Sequence, residues 1–252
     1  EALSIEEIAD IVRFEKPVGI ITQFAGTAAD TLADRLTSLN CPMIGTPGKT
    51  FQRQQDRPIL KDRIRKLGIP QPASVGATTI SEAMEAAGQM EFPILVSDGI
   101  HAGSTSLIRD LQRLEEHLSI LQPSPGHPLW LEQLLEYAIE AQAEVLCDGE
   151  TTHTLAVMEH IELAGVHAGD SAAVLPPYSI APRHIDTIGE YCRKIAVSLK
   201  IAGMINLRFA IYRDTVYLLE ATCNTTRNLS IIEKTYQIPM AGMTVRLMNG
   251  EA

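Results

Sequence analysis

Apolar positions near the start of the chain follow first a helical and then a strand-like pattern. A helical spacing of apolar residues begins after Ser4, and short apolar runs follow at 18–23 and 42–46, with a second helical pattern at about 28–39 between them. Short apolar runs rich in β-branched residues are typical of buried parallel strands. The order strand, helix, strand predicts a βαβ unit, the remnant of a doubly wound α/β sheet.

The pattern changes after residue 70, where strands and helices no longer follow the doubly wound order. The spacing predicts a helix over 51–67, a strand over 72–77, a helix over 80–89, a strand over 92–97, a helix over 107–118, strands over 129–135, 138–146 and 152–158, a helix over 182–200, a hairpin of 206–212 with 215–221, and two short final helices. Prolines within Gln122–Pro128 predict a surface connection, since proline disrupts regular structure. This second part is predicted to be α+β.

Composition limits the partners of the chain. Apolar residues make up 45% and charged residues 21% of the sequence, which predicts a folded protein throughout. The net charge is −10. A nucleic-acid backbone would be repelled by this charge, because the most basic stretch, Arg53–Lys66, also carries Asp56 and Asp62. We therefore expect no nucleic-acid partner.

The cysteines and the apolar runs indicate the cellular compartment of the protein. Cys41, Cys147, Cys192 and Cys223 lack the paired short spacing of a zinc site, and most lie in apolar runs, which favours buried reduced thiols. No apolar run approaches the roughly 20 residues that a membrane span needs. We expect a cytoplasmic protein without a membrane partner. Because the chain begins inside an amphipathic pattern, we also expect it to be part of a longer polypeptide.

One long segment is far more specific than these patterns. Residues 159–172 read Glu-His-Ile-Glu-Leu-Ala-Gly-Val-His-Ala-Gly-Asp-Ser-Ala, and Leu175–Tyr178 follows as Leu-Pro-Pro-Tyr. This segment resembles a loop of carbamoyl-phosphate synthase large subunits, in their second, carbamate-phosphorylating synthetase unit. The resemblance runs from about Ala2 to Gly250 in order, and includes Phe14–Pro17, Ile44–Thr46, Gln55–Arg57, Phe92–Val96, Leu146–Gly149, Asn206–Ile211 and Leu218–Glu220.

The resemblance implies a fold and an activity. It implies an ATP-grasp fold over 48–252, in two α+β subdomains divided near 121–128, preceded by a partial Rossmann-like domain over 1–47. It implies ATP-dependent phosphorylation of carbamate to carbamoyl phosphate, in pyrimidine and arginine biosynthesis, with ATP and Mg²⁺ or Mn²⁺ as cofactors. The implied partners are the other synthase units of a large subunit and a glutaminase subunit.

The resemblance also assigns site residues by position. Glu140 matches a carboxylate that holds the nucleotide ribose, and Gly103 belongs to what remains of a glycine loop at the phosphates. His167 lies in the loop that borders the nucleotide pocket. Glu220 matches the glutamate that bridges the metal ions. Arg227 matches an arginine that faces the anionic acceptor or phosphate, and with His167 it is the expected catalytic group.

Three positions depart from the family pattern. Ser97 stands where the family has an arginine at the nucleotide phosphates, Arg208 where it has a glutamine that binds metal, and Thr222 where it has an asparagine that binds metal. An arginine side chain has only hydrogen-bond donors, so it is not a metal ligand. We predict that Arg208 pairs with Glu220 across the hairpin and that its guanidinium lies where one Mg²⁺ would bind.

These departures leave three functions open. The first is an active carbamate-phosphorylating unit, and the second is a catalytically weakened ATP-grasp domain with a structural or regulatory role in a larger synthase. The third is an ATP-grasp ligase that joins a carboxylate to an amine, which the loop at 165–171 makes the least favoured.

Overall fold

The structure is a computed structural model that describes residues 3–47, 50, 56–97, 105–121, 123–164, 171–226 and 228–251. The elements of these residues, in chain order, are α1 (Ile5–Glu15), α2 (Thr27–Ser38), α3 (Arg57–Lys66), β1 (Ser74–Ala77), α4 (Ile80–Gly88), β2 (Ile94–Ser97), β3 (Thr105–Ile108), α5 (Leu111–Ile120), β4 (Leu129–Gln133), β5 (Ile139–Asp148), β6 (Thr152–His160), β7 (Ala173–Val174), α6 (Pro182–Leu199), β8 (Ala202–Tyr212), β9 (Thr215–Thr222), α7 (Asn228–Tyr236) and α8 (Met240–Met248).

The chain divides into two compact units. Unit 1 consists of Glu1–Gln71, Ile139–Leu163 and Gly169–Ala252, and unit 2 consists of Pro72–Ala138 and Ala164–Ala168. The N-terminal residues thus group with the part of the chain that contains β5, β6, β8 and β9. A separate N-terminal domain ending at residue 47, and a subdomain boundary near 121–128, stay predictions.

Unit 1 contains a five-stranded antiparallel sheet in the order β7-β6-β5-β8-β9. The pairing of β5 with β8 runs without a break from Ile139↔Ile211 to Asp148↔Ala202. Because successive side chains of a strand point to opposite faces, alternate residues of each strand share one face. One face is apolar and forms the main core of the unit with Ala141, Ala143, Val145, Leu207 and Phe209.

Helix α6 packs against the apolar face of this sheet. Pro182 lies in the first turn, where its missing N–H is not needed, and the buried residues Ile188, Cys192, Ile195 and Leu199 recur at helical spacing. Each fully buried aliphatic side chain of this kind contributes about 1.5–3 kcal/mol. The helix therefore covers one face of the sheet, and any chemically active side chains of the sheet must lie on the other face.

The two strands predicted near the N-terminus reduce to a single parallel bridge between Ile20 and Met43. This corrects the prediction of a regular βαβ unit. Pro42 has no N–H to donate to a ladder, and Gly45 has a φ of 93°, which lies outside the strand region. Helices α1 and α2 instead pack together through a small apolar cluster that includes Ala9, Leu36 and Cys41.

Two polar side chains fix the N-terminal residues to strand β8. Gln23 Nε2 donates to the Met204 carbonyl at 2.9 Å, and Gln23 Oε1 accepts from the Met204 N–H at 3.3 Å. Thr46 Oγ1 donates to the Ala202 carbonyl at 3.0 Å and accepts from its N–H at 3.1 Å. The close approach requires Gly203, because a Cβ there would lie 2.2 Å from Gln23 Oε1.

Unit 2 contains a four-stranded antiparallel sheet in the order β1-β4-β2-β3. Helices α4 and α5 cover it, and the core they enclose includes Ile94, Val96, Leu114, Leu118 and Leu131, all fully buried. Unit 2 therefore has a hydrophobic core of its own.

The helix predicted over 107–118 is wrong at its start. Residues up to Ile108 belong to strand β3, and the helix begins only at Leu111. Asp110 is the N-cap, since its carboxylate accepts from the Arg113 N–H at 2.8 Å. The apolar spacing of Leu107 with Leu111 imitated a helical turn across this boundary.

Most other predicted elements are confirmed to within a few residues at their ends. The helix predicted over 51–67 is wrong at its start, because Asp56 is the N-cap of α3 and accepts from the Ile59 N–H at 3.2 Å, so that α3 begins at Arg57. Residues 51–55 lie outside the described residues. All four cysteines are buried and free, as predicted. Within the described ranges, none of the helices has the length and apolar character to cross a membrane.

Candidate functional site

The second face of the five-stranded sheet carries a group of polar side chains, which we call the polar face. Register places Gln142 opposite Arg208, Glu144 opposite Asn206, and Arg208 opposite Glu220. A bulge after Arg208 and another after Glu144 adjust the pairing with the outer strands. The polar face consists of Glu140, Gln142 and Glu144 from β5, Asn206 and Arg208 from β8, and Glu220 from β9.

Arg208 lies between two glutamates on the polar face. Its Nε and Nη2 atoms each lie 2.9 Å from Glu140 Oε1, and its Nη1 atom lies 2.8 Å from Glu220 Oε2. The predicted pair with Glu220 is therefore confirmed. The contact with Glu140 was not predicted, and it engages the more buried carboxylate, whose side chain is 7% exposed against 50% for Glu220.

While Arg208 is in this place, the groups around Glu220 do not suit the binding of a divalent cation. Mg²⁺ prefers carboxylate and amide oxygens, whereas a guanidinium offers only N–H donors and a like charge. Thr222, at the other position where the family resemblance places a metal ligand, faces Asn206 across the sheet. Among the residues that the structure describes, no group of three or more His, Cys, Asp or Glu side chains is placed to hold a metal ion.

Glu144 is the most deeply buried charged residue on the polar face, with no exposed surface. Its Oε1 atom accepts from Thr226 Oγ1 at 2.5 Å, from Asn206 Nδ2 at 2.7 Å and from Gln142 Nε2 at 3.5 Å. Its Oε2 atom is buried without a hydrogen-bond partner in the described part of the chain. Burial raises the pKa of Glu144 to about 7, although the hydrogen bonds from Thr226, Asn206 and Gln142 oppose the rise.

Gln142 connects this carboxyl to strand β6. His160 Nε2 donates to Gln142 Oε1 at 3.2 Å, and Gln142 Nε2 donates in turn towards Glu144. Neither Gln142 nor Glu144 was predicted from the sequence to belong to the site. A signal was present, because three polar residues at alternate positions of an otherwise apolar strand indicate a buried polar face.

Glu159 makes a different contact, which holds the chain before helix α6. Its carboxylate accepts from the backbone N–H groups of Tyr178 at 2.8 Å, Ser179 at 2.7 Å and Ile180 at 3.3 Å, and from the Ser179 hydroxyl. Burial alone would raise the pKa of Glu159, but the donors from Ser179, Tyr178 and Ile180 outweigh it and lower the pKa. The quoted loop segment therefore begins with a structural anchor.

Of the five site residues that the resemblance assigned, the structure describes two. Glu140 and Glu220 lie on the polar face and share Arg208 as a partner. Gly103, His167 and Arg227 lie outside the described residues. Ser97, where the resemblance predicts the loss of a phosphate contact, is the last residue of β2 in unit 2.

A sequence model of one protein family matches most of the chain. It is described as the carbamoyl-phosphate synthase L chain, ATP binding domain, and it matches residues 56–252. The chain belongs to this family. The resemblance drawn from residues 159–172 and the other quoted segments is thus confirmed.

Curated relatives support the same family. The chain is 38% identical over 256 residues to the carbamoyl phosphate synthase large chain of Methanothermobacter thermautotrophicus, and the match covers 99% of this chain. It is 36% identical over 254 residues to the large chain of Archaeoglobus fulgidus, over 100% of this chain. In each case the chain spans 24% of the length of the relative.

Solved structures confirm the ATP-grasp fold at low sequence identity. The biotin carboxylase domain of Hydrogenobacter thermophilus 2-oxoglutarate carboxylase, solved with MgADP, ADP and bicarbonate, superposes with a TM-score of 0.82 at 17% identity, covering 98% of this chain and 57% of that one. A biotin carboxylase complex from Campylobacter jejuni gives a TM-score of 0.81 at 12% identity, covering 99% and 58%. Likeness at this identity supports the fold alone.

Proposed function

We propose that this chain is a nucleotide-binding ATP-grasp domain of carbamoyl-phosphate synthase type, in which metal-dependent phosphorylation of carbamate is weakened. One observation carries the proposal: Arg208 makes ion pairs with both Glu140 and Glu220. ATP is the expected ligand, because the family is an ATP-binding one and the ATP-grasp fold is shared with enzymes solved with adenine nucleotides. The role is then structural or regulatory within a larger synthase.

The charges on the polar face support a weakened metal site. Transfer of a phosphoryl group requires cations around its oxygens, and in related chemistry Mg²⁺ supplies them. Here Arg208 neutralises Glu220 and offers the approaching cation a like charge. For Mg²⁺ to bind, the guanidinium would have to leave two carboxylates, one of them largely buried. We infer that Arg208 serves as a fixed positive charge for the nucleotide in place of the metal ion.

Active phosphorylation of carbamate is the second candidate. It is favoured by the exposure of Glu220, whose side chain is 50% exposed and receives only one nitrogen of Arg208. Exposed ion pairs of this kind contribute only about 0–1 kcal/mol, so the contact could open when a substrate arrives. In that case the other synthase units and a glutaminase subunit are the expected partners, and ATP and Mg²⁺ the expected cofactors.

Calorimetric titration with ATP, with and without Mg²⁺, tests the proposal. The unaltered chain is expected to bind ATP with nearly the same affinity in both conditions. Arg208→Gln is expected to make binding depend on Mg²⁺, because it releases Glu220 and restores an amide oxygen. Arg213→Gln, which changes an arginine at the turn of the same hairpin, should leave the metal dependence as it was.

Two results would contradict the proposal in different ways. If ATP binds in neither condition, the chain is a scaffold domain that binds no nucleotide. If the unaltered chain binds ATP only with Mg²⁺, and if ADP release depends on carbamate, the second candidate would be established instead.

A further inference from the structure

The segment Cys223–Thr226, which connects β9 to α7, is fixed by hydrogen bonds from two sides. Thr226 Oγ1 donates to Glu144 Oε1 at 2.5 Å and accepts from the Asn228 N–H, in the first turn of α7, at 3.3 Å. On the other side, the Thr225 N–H donates to the Gln23 carbonyl at 2.9 Å. Thr226 therefore joins the buried carboxyl of β5 directly to the start of a helix.

We propose that Glu144 is a positioning residue that holds this segment most firmly when its carboxyl is neutral, so that it acts as a proton-controlled latch on the start of α7. The latch is built from residues outside the Glu140–Arg208–Glu220 contacts, and it goes beyond the proposed function. Only its consequence for nucleotide binding rests on that function.

The complete burial of Glu144 makes the neutral state the better fit. The donors from Thr226, Asn206 and Gln142 all reach Oε1 and favour the ionised form, but they do not outweigh the loss of water around the carboxyl. The second oxygen, Oε2, is buried and has neither a donor nor an acceptor among the described residues, and an unpaired neutral O–H costs less in such a place than an unpaired negative charge. When the segment opens and water reaches the carboxyl, the ionised form is stabilised instead.

Proton linkage gives the direction and the size of the effect of pH on the opening of the segment. Burial raises the pKa of Glu144 from 4.5 to about 7 in the closed segment, and exposure to water would return the pKa towards 4.5. A raised pKa contributes stability that is fully present below 4.5 and lost as the pH rises through 7. Between these values opening releases one proton, so the opening equilibrium should rise about tenfold per pH unit and level off above them.

Other charged groups lie near enough to be considered. Histidine ordinarily titrates in the same range, so His160 is the competing source of a pH effect. Glu233 of α7 is directed elsewhere, since its carboxylate accepts from the Ala241 N–H at 2.8 Å. The other charged residues and histidines on the elements around Glu144 are Glu140 and Asp148 on β5, His153, Glu159 and His160 on β6, Arg208 on β8, Glu220 on β9, and Glu233 and Lys234 on α7.

Hydrogen exchange of residues 223–232, measured from pH 5 to pH 8 and divided by the intrinsic rate at each pH, tests the latch without any ligand. Helix α6 serves as the internal reference. The unaltered chain is expected to open about tenfold more per pH unit up to pH 7. Glu144→Gln keeps an acceptor for Thr226 and cannot ionise, so its opening should not vary with pH. The exposed carboxyl variant Glu150→Gln should retain the full slope.

The outcomes separate the latch from its alternatives. A slope that persists in Glu144→Gln and disappears in His160→Gln would overturn the proposal in favour of the histidine. If Glu144→Gln does not fold, Thr226→Val provides the test, since loss of the donor should open the segment at every pH. If the segment opens no more in Thr226→Val than in the unaltered chain at pH 5, the proposal would also be overturned.

A titration with ATP at pH 6 and pH 8 examines the consequence for the nucleotide site. We expect ATP affinity to fall between these values in the unaltered chain and to stay constant in Glu144→Gln. Failure of ATP to bind at either pH would count against the proposed function, while the exchange result would still decide the latch.

Discussion

The Arg208 guanidinium lies on β8 where the resemblance predicts a glutamine amide, and its contacts were only partly predictable from the sequence. The pair with Glu220 follows from the local register of a hairpin, which the turn at Arg213 and Asp214 fixes. The contact with Glu140 joins residues that are 68 positions apart. Periodicity indicates which face a side chain occupies, but it does not indicate which distant strand lies beside it.

Substituting the residues that the resemblance expects should strengthen metal-dependent ATP binding. The combination of Ser97→Arg, Arg208→Gln and Thr222→Asn is expected to raise the affinity for Mg·ATP about tenfold, equal to about 1.4 kcal/mol, because the positional matching predicts that a phosphate contact and two metal ligands return. Calorimetry measures the change. The variant with Ser97→Arg and Thr222→Asn alone is the control, and it should gain less, since Arg208 still opposes the metal. Equal affinities in all three proteins would show that the positional matching is wrong.

Glu159 should contribute to stability in a pH-dependent way. Its lowered pKa means that its contribution is present above 4.5 and lost as the pH falls through the pKa of the folded state. Glu159→Gln places an amide donor against the N–H groups of Tyr178 and Ser179, and we expect it to cost about 1–3 kcal/mol at pH 7. Denaturant unfolding at pH 7 and pH 4 measures the difference. An equal cost at both values would contradict the ionic role.

Elements with a complete local signal were predicted well, and those that depend on tertiary contacts were not. Helix α6 has a proline in its first turn and a continuous apolar stripe, so its bounds needed nothing from the rest of the chain. The N-terminal runs carry the apolar pattern of strands, yet only Ile20 and Met43 pair. Polar contacts from Gln23 and Thr46 determine that segment, and no hydrophobic pattern indicates them.

Two glycine substitutions should have opposite effects on two elements. Gly203→Ala, in β8, is expected to cost about 2–4 kcal/mol, because φ is 120° there and a Cβ would meet Gln23. Gly189→Ala, in α6, meets nothing within 4 Å and should stabilise the helix by up to about 1 kcal/mol. Thermal unfolding compares them. Similar shifts for both variants would argue against the close contact at Gly203.

At the scale of the whole molecule, the two units carry separate hydrophobic cores. Family membership and the ATP-grasp fold could be inferred from the order of the quoted segments, since so many unlike segments in one order rarely arise by chance. The polar network around Glu144 could not, because it assembles side chains from β5, β8 and the segment that precedes α7. Residues that form one chemical group are here scattered through the sequence.

Core substitutions should weaken the unit in which they lie. Leu114→Ala, in unit 2, and Ile188→Ala, in unit 1, remove fully buried side chains and are each expected to cost about 2–5 kcal/mol. Hydrogen exchange should rise mainly in β2, β4 and α5 for the first variant, and in β5, β8 and α6 for the second. A uniform rise across both units in either variant would mean that the cores do not act separately.

The bonds from Gln23 and Thr46 to strand β8 have a consequence for solubility. Strand β9 ends opposite Asn206, so the N–H and C=O groups of Ala202 and Met204 would form an open sheet edge. An amide and a hydroxyl, themselves joined at 3.2 Å, pair with those groups much as a neighbouring strand would. Open edges invite pairing with other chains. The two side chains thus prevent this short edge from pairing with a strand of another molecule. Removing them would expose the edge to such pairing even in the folded protein.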